Sequence, residues 1–134
     1  MINIIYGAKG TGKTKQIIDR AKDSVKEAKG NIVFLTDKKG YTYHINYSIR
    51  LVTMEEYNIS SEIDFLGFVK GLIAGNRDIE HFYIDGIHRI CRKKIAELEE
   101  LFDSLEEISK TYGADFTCTI SLPAEEMPEY LNKF

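Results

Sequence analysis

Long apolar runs are missing from this chain: none approaches the roughly 20 residues that a membrane-spanning helix requires. A basic leader with an extended apolar core is missing as well, so no signal peptide is expected. There is no lipidation motif. Cysteine is scarce. Cys91 and Cys118 stand alone, with no C-x-x-C pair and no disulfide-framework spacing. Free thiols suit a reducing compartment, so a cytoplasmic location is expected and both cysteines should pack as small apolar residues. A basic excess is also lacking. Lys and Arg number 18 against 21 Asp and Glu, a formal charge of −3, which makes a nucleic-acid partner unlikely by composition. The local exception, CRKK at Cys91 to Lys94, reads as the solvated face of a helix. No internal repeat, low-complexity segment or interdomain linker interrupts the chain.

What is present is one domain's worth of sequence. The 134 residues are 43 % apolar and 29 % charged, enough for a hydrophobic core in a single domain spanning residues 1–134. Ile2 to Tyr6 reads as a short buried strand. A helix should run from about Lys13 to Ala28, with Ile17, Ile18, Ala21 and Val25 on one face and Gly30 as its C-terminal cap. NIVFLT, Asn31 to Thr36, is a second strand. Gly40 to Thr53 alternates enough for one or two strands, a hairpin being one arrangement. Ser60 or Ser61 can cap a helix reaching about Gly75 that is apolar on most sides and should be well buried. Ile79 to Asp85 is a strand. Apolar residues at Ile95, Leu98, Leu101, Phe102, Leu105 and Ile108 predict one long helix from about His88 to Tyr112, capped by Gly113. Phe116 to Leu122 is the last strand, and the tail suggests a short helix. Strands alternating with helices imply an α/β sandwich with a mainly parallel sheet.

The strongest signal lies between the first strand and the first helix. GAKGTGKT, Gly7 to Thr14, fits the phosphate-binding pattern G-x-x-x-x-G-K-[ST]. Phosphates concentrate negative charge, and backbone N–H groups can cradle them where side chains do not obstruct the approach. Gly7, Gly10 and Gly12 give that access. Lys9, Thr11 and Lys15 belong to the same nucleotide-binding stretch. The helix start adds a favourable dipole. Lys13 should reach the β- and γ-phosphates, and the Thr14 hydroxyl should ligate Mg²⁺. Lys9 could add a cation or point to solvent.

On these residues the chain resembles the P-loop NTPase superfamily. Its GTGKT spelling is most similar to the RecA-like and AAA+ branches, firmly over Ile2 to about Ala28. The whole chain also looks like small bacterial P-loop proteins labelled twitching-motility ATPases. The resemblance implies a three-layer P-loop NTPase fold, with RecA-like strand order favoured, and ATP with Mg²⁺ as ligands. It also implies a carboxylate at the end of an apolar strand to help hold the metal. HFYID offers Asp85 there, although Asp-Gly is also a common turn pair. Gly86 follows, where many of the resembled ATPases carry glutamate to polarise the attacking water, and this departure argues against fast hydrolysis. Asp37, closing NIVFLTD, stands where RecA-like proteins carry that acid, or else it opens the turn that follows. His88 is a further candidate base. Thr119 or Ser121 could sense the γ-phosphate. His81 and His88 flank Asp85, but with no second acid or cysteine in register a zinc site is not expected.

No N-K-x-D or T-K-x-D guanine-reading motif occurs, and no segment resembles an arginine-bearing transferase lid. Arg77, Arg89 and Arg92 are available, and the last two could line the site, act on a neighbouring subunit or form surface ion pairs. The expected function is a slow Mg²⁺-dependent ATPase. A non-hydrolysing regulatory module is the alternative, and a small phosphotransferase a more distant one. If the first strand lies at a sheet edge, its unpaired backbone invites a homo-oligomer or another protein partner.

Overall fold

A computed structural model of the chain describes residues 1–37, 45 and 48–134. Strand β1 (Ile2–Gly7) leads into helix α1 (Lys13–Val25), followed by β2 (Asn31–Thr36) and β3 (Ile49–Thr53). Helix α2 (Glu62–Gly75) precedes β4 (Ile79–Asp85) and the single-turn α3 (Ile87–Cys91). Helix α4 (Glu99–Tyr112) then returns the chain to β5 (Asp115–Ser121).

The five strands form one parallel sheet in the order β1-β5-β4-β2-β3. This is the RecA-like arrangement. The last strand is inserted between the glycine-loop strand and the strand ending in Asp85, and β1 lies at an edge. β3, the described strand of the stretch 40–53, joins the sheet parallel to β2. The rest of the expected strand region, residues 40–48, lies mostly outside the described residues.

The period-two alternation of side chains distributes the core over two faces. Ile32, Phe34 and Tyr83 pack with Ile17, Ile18 and Ala21 of α1. Val33, Leu35, Phe82 and Ile84 face the other way, against Phe65, Val69, Leu101, Phe102 and Leu105 from α2 and α4. The result is a three-layer α/β sandwich. A central strand covered on both faces must be apolar at nearly every position, which explains the uninterrupted NIVFLT.

The structure departs from the sequence expectations at several points. The expected helix from His88 to Tyr112 is broken. α3 stops at Arg92, whose φ of 53° is left-handed, and a 3₁₀ turn over Ile95–Glu97 precedes α4. The break lets Ile87, Ile90 and Cys91 enter the core against β5 and α2, while Ile95 and Leu98 also fold into it. The Ile95 carbonyl accepts from the Leu98 amide within that 3₁₀ turn and from the Tyr130 hydroxyl of the tail. The CRKK cluster is therefore a helix ending rather than a helix face, and Lys93 pairs with Glu62.

α2 buries only the stripe of Phe65, Val69 and Ile73, and Ile63 is 84 % exposed. Leu66, Phe68 and Leu72 beside that stripe are only half-buried, Phe68 lying against the Tyr57 ring, so the helix is covered on one side rather than all round. Gly30 does not cap α1, which ends at Lys26. A Cβ on Gly30 would lie 2.1 Å from the Asp78 carbonyl oxygen, so close backbone approach explains the glycine. The tail forms two 3₁₀ turns, Ala124–Glu126 and Glu129–Lys133, with Leu131 buried. No helix among the described residues is long and apolar enough to cross a membrane.

Candidate functional site

The glycine loop emerges from the carboxyl end of β1. Parallel strands end there without partners for their last amides, which is where open α/β sheets place ligands. Gly12 caps the start of α1 with φ 84°, a left-handed conformation that favours glycine. The first helical bond of α1 runs from the Gln16 amide to the Gly12 carbonyl, 3.1 Å. The amides of Lys13, Thr14 and Lys15 therefore precede the helical ladder, and an anion could take them up. No acidic side chain sits in the first turn to oppose an anion.

The loop is closed by its own side chains. The Thr11 hydroxyl donates to the Ala8 carbonyl at 2.7 Å, and the Lys13 ammonium donates to the same oxygen at 2.8 Å. Lys13 is buried, and desolvation pushes its ammonium below the ordinary lysine pKa. The charge of Arg89 acts in the same direction and that of Asp85 against it. Lys9 is exposed. Lys15 is exposed too, and its ammonium pairs with Asp19 at 2.7 Å one turn further along α1, so at this position it is the backbone amide that faces the loop end.

Thr14 and Asp85, 71 residues apart, meet across the sheet. The Thr14 hydroxyl donates to Asp85 Oδ2 at 3.1 Å. Asp85 is almost wholly buried, and its other oxygen accepts from the Thr119 hydroxyl at 2.7 Å. Thr119 in turn accepts from the Gly86 amide at 2.7 Å. Its hydroxyl is thus committed to holding Asp85, which is not the phosphate-sensing role considered from sequence. That positioning role depends on β5 lying beside β4, a neighbour relation that no local pattern in the chain announces. Ser121 lies opposite Gly7 in the β1–β5 register.

Asp37 follows the end of β2 and is ion-paired with Arg89, whose Nε is 3.1 Å from Oδ2. A terminal guanidinium nitrogen of Arg89 also lies 4.0 Å from Asp85 Oδ2. The guanidinium lies over Gly86, where a Cβ would fall 2.3 Å from one nitrogen and 2.4 Å from Cζ. Gly86 itself has φ 77°. Arg89 thus fills the volume that a side chain at position 86 would need. Beyond Arg89 opens a cleft of about 420 Å³ with Asp37, Glu55 and Arg92 on its walls.

His88 is half-buried, and its Nδ1 has no hydrogen-bond partner among the described residues. Burial first, and Arg89 second, hold its pKa below the ordinary histidine value. His81 is not part of this cluster: Nε2 lies 2.8 Å from the Thr117 hydroxyl and the ring stacks on Tyr83. Among the described residues no group of three His, Cys, Asp or Glu side chains converges. Both cysteines are buried and free, and burial raises the Cys91 thiol to about 12.

No protein-family model matches this chain, and no curated protein matches it. Among solved structures it is similar to the flagellar accessory protein FlaH from Methanocaldococcus jannaschii, with a TM-score of 0.66 and 14 % sequence identity. The match covers 96 % of this chain and 63 % of FlaH. At that identity the likeness shows the fold alone. The chain shares the FlaH architecture.

Proposed function

We propose that this chain binds a nucleoside triphosphate, ATP in the first instance, together with Mg²⁺, and hydrolyses it slowly. The observation that carries the reading is the meeting of Thr14 and Asp85 beside the glycine loop. Mg²⁺ prefers octahedral oxygen ligands at about 2.0–2.1 Å, which sets neighbouring ligand oxygens about 3 Å apart. The two oxygens here are 3.1 Å apart, so this donor pair fits the ion. Thr14 and Asp85 would hold the metal, which would supply charge neutralisation on the phosphates when bound. Lys13 would exchange its bond to the Ala8 carbonyl for a phosphate oxygen. With the loop amides, it would stabilise the charge that develops on the transferred phosphoryl group.

The non-hydrolysing alternative draws support from a different observation. Arg89, a cation, occupies the space over Gly86, and its partner is Asp37, the other acid in position to act on water. That pairing commits one Asp37 oxygen to the guanidinium. The site is therefore better equipped to hold a triphosphate than to cleave it quickly. We also propose that exposed sheet edges, β1 in particular, give the protein a second copy or another protein as partner.

A nucleotide titration with and without Mg²⁺, followed by phosphate release on the tightest ligand, tests the reading. Lys13→Ala should weaken triphosphate binding about 10- to 100-fold, the value of a charge-assisted hydrogen bond to phosphate. Full retention of affinity in that variant would refute the phosphate-loop assignment. Strong Mg²⁺-dependent binding without phosphate release would select the non-hydrolysing module.

A further inference from the structure

We infer that Arg89 is the residue by which this protein distinguishes a nucleoside triphosphate from a diphosphate, moving from Asp37 and Asp85 onto the terminal phosphate. The inference rests on the nucleotide-binding reading and adds to it a residue outside the glycine loop.

Three features of the geometry lead there. First, Arg89 shares an anion with the loop. Asp85 Oδ2 receives the Thr14 hydroxyl at 3.1 Å and has a terminal nitrogen of Arg89 4.0 Å away. The guanidinium is therefore one carboxylate removed from the hydroxyl that opens α1, on the side of the site bounded by the ends of β2 and β4. Second, its seat is built for it. Gly86 has no side chain, and the guanidinium lies where one would be. Third, it is able to move. The Arg89 side chain is 43 % exposed, and its closest bond is a single contact from Nε to Asp37. Among the described residues its terminal nitrogens have only the longer approach to Asp85.

A guanidinium suits phosphate because its planar fork can donate two parallel hydrogen bonds to it. Mg²⁺ at Thr14 and Asp85 would repel the neighbouring guanidinium from Asp85. A terminal phosphate would offer it a stronger acceptor than the Asp37 carboxylate alone. A diphosphate ends one phosphate short and has no γ-phosphate to offer, so the pair with Asp37 would persist. A ligand shifts a conformational equilibrium only by binding its two states unequally, and the terminal phosphate is that inequality. Asp37 is then the competitor for Arg89, and its loss should favour triphosphate.

The experiment is calorimetric titration of Mg²⁺-ADP and of a Mg²⁺-bound non-hydrolysable ATP analogue into wild-type protein, Arg89→Ala, Arg89→Lys, Asp37→Asn and Lys13→Ala. Arg89→Ala should lose about 10- to 100-fold in analogue affinity. ADP affinity should change little, which also certifies that the variant is folded. Arg89→Lys should recover part of the loss, and Asp37→Asn should bind the analogue more tightly than wild type. These two opposite signs cannot both arise from general destabilisation. Equal losses for ADP and analogue in Arg89→Ala, or an unchanged ratio, would overturn the inference while leaving Lys13-dependent binding intact. Wild-type protein that binds neither nucleotide, or binds them independently of Lys13, would overturn the underlying reading and the inference together.

Discussion

Thr119 shows how much a single hydroxyl can hold in this molecule. It accepts from the Gly86 amide and donates to Asp85, both at 2.7 Å and both buried. Thr119→Val keeps the shape but leaves a buried amide and a buried carboxylate oxygen without partners. Such a change should cost about 1–3 kcal/mol per orphaned group, read as a lower denaturation midpoint. Thr119→Ser should recover most of it, whereas equal losses in the two variants would point to the methyl group instead. His81 and His88 give a second residue-scale expectation. Burial foremost lowers both pKa values from the ordinary 6.5. Between the lowered folded values and 6.5 the unfolded chain binds more protons, so the stability these residues contribute is present above pH 6.5 and is lost as pH falls below it. The melting temperature should therefore drop between about pH 7 and pH 5, where histidine is the main titrating side chain. His81→Gln should flatten that slope, and an identical slope in the variant would show that His81 contributes nothing to it.

At the scale of elements, helix ends and breaks follow recognisable chemistry, while burial does not. Ser61 caps α2 by accepting from the Asp64 amide at 3.1 Å, and Asp64 returns the contact to the Ser60 amide at 3.4 Å. Ser61→Ala should destabilise the fold by about 1 kcal/mol in chemical denaturation, and a neutral result would mean that water replaces the cap. Gly113 likewise ends α4, its amide bonding the Ser109 carbonyl at 2.8 Å. Both caps were legible because the side chain or backbone freedom involved acts within one turn. The break after Cys91 was not legible. RKKIAELEE is good helical sequence, and the need to fit Ile87 and Ile90 into the core against β5 while α4 packs across β1 and β5 stops the helix. The one-sided burial of α2 escaped for the same reason: apolar periodicity reports how much of a helix can be buried, not how many neighbours arrive to bury it.

For the whole molecule, strand order determines both the site and the edges. β1 and β3 are the outer strands, and β1 exposes Tyr6, 52 % accessible, beside the glycine loop. Unpaired strand edges favour association. Sedimentation velocity at high protein concentration should find a species heavier than 15.4 kDa, and a clean monomer would remove the self-association proposal. The sequence by itself determined the class of fold, since apolar runs of five to seven residues alternating with amphipathic helices admit little but a parallel sheet with crossovers. It also determined the glycine loop, because that chemistry is contiguous: Gly7, Gly10, Gly12, Lys13 and Thr14 lie within a single turn of chain. By resemblance the sequence also pointed to Asp85 and Asp37 opposite that loop, but tertiary structure decided which of their partners they meet. Asp85, Thr119, Asp37 and Arg89 come from three different parts of the chain, and they meet because β5 inserts between β1 and β4 while β2 pairs on the far side of β4. Local sequence specifies which groups a strand carries to its end, and it sets Arg89 over Gly86 within one turn. Which ends become neighbours is decided by hydrogen bonding and packing across the whole sheet, and that decision brought Asp37, after β2, to the Arg89 guanidinium.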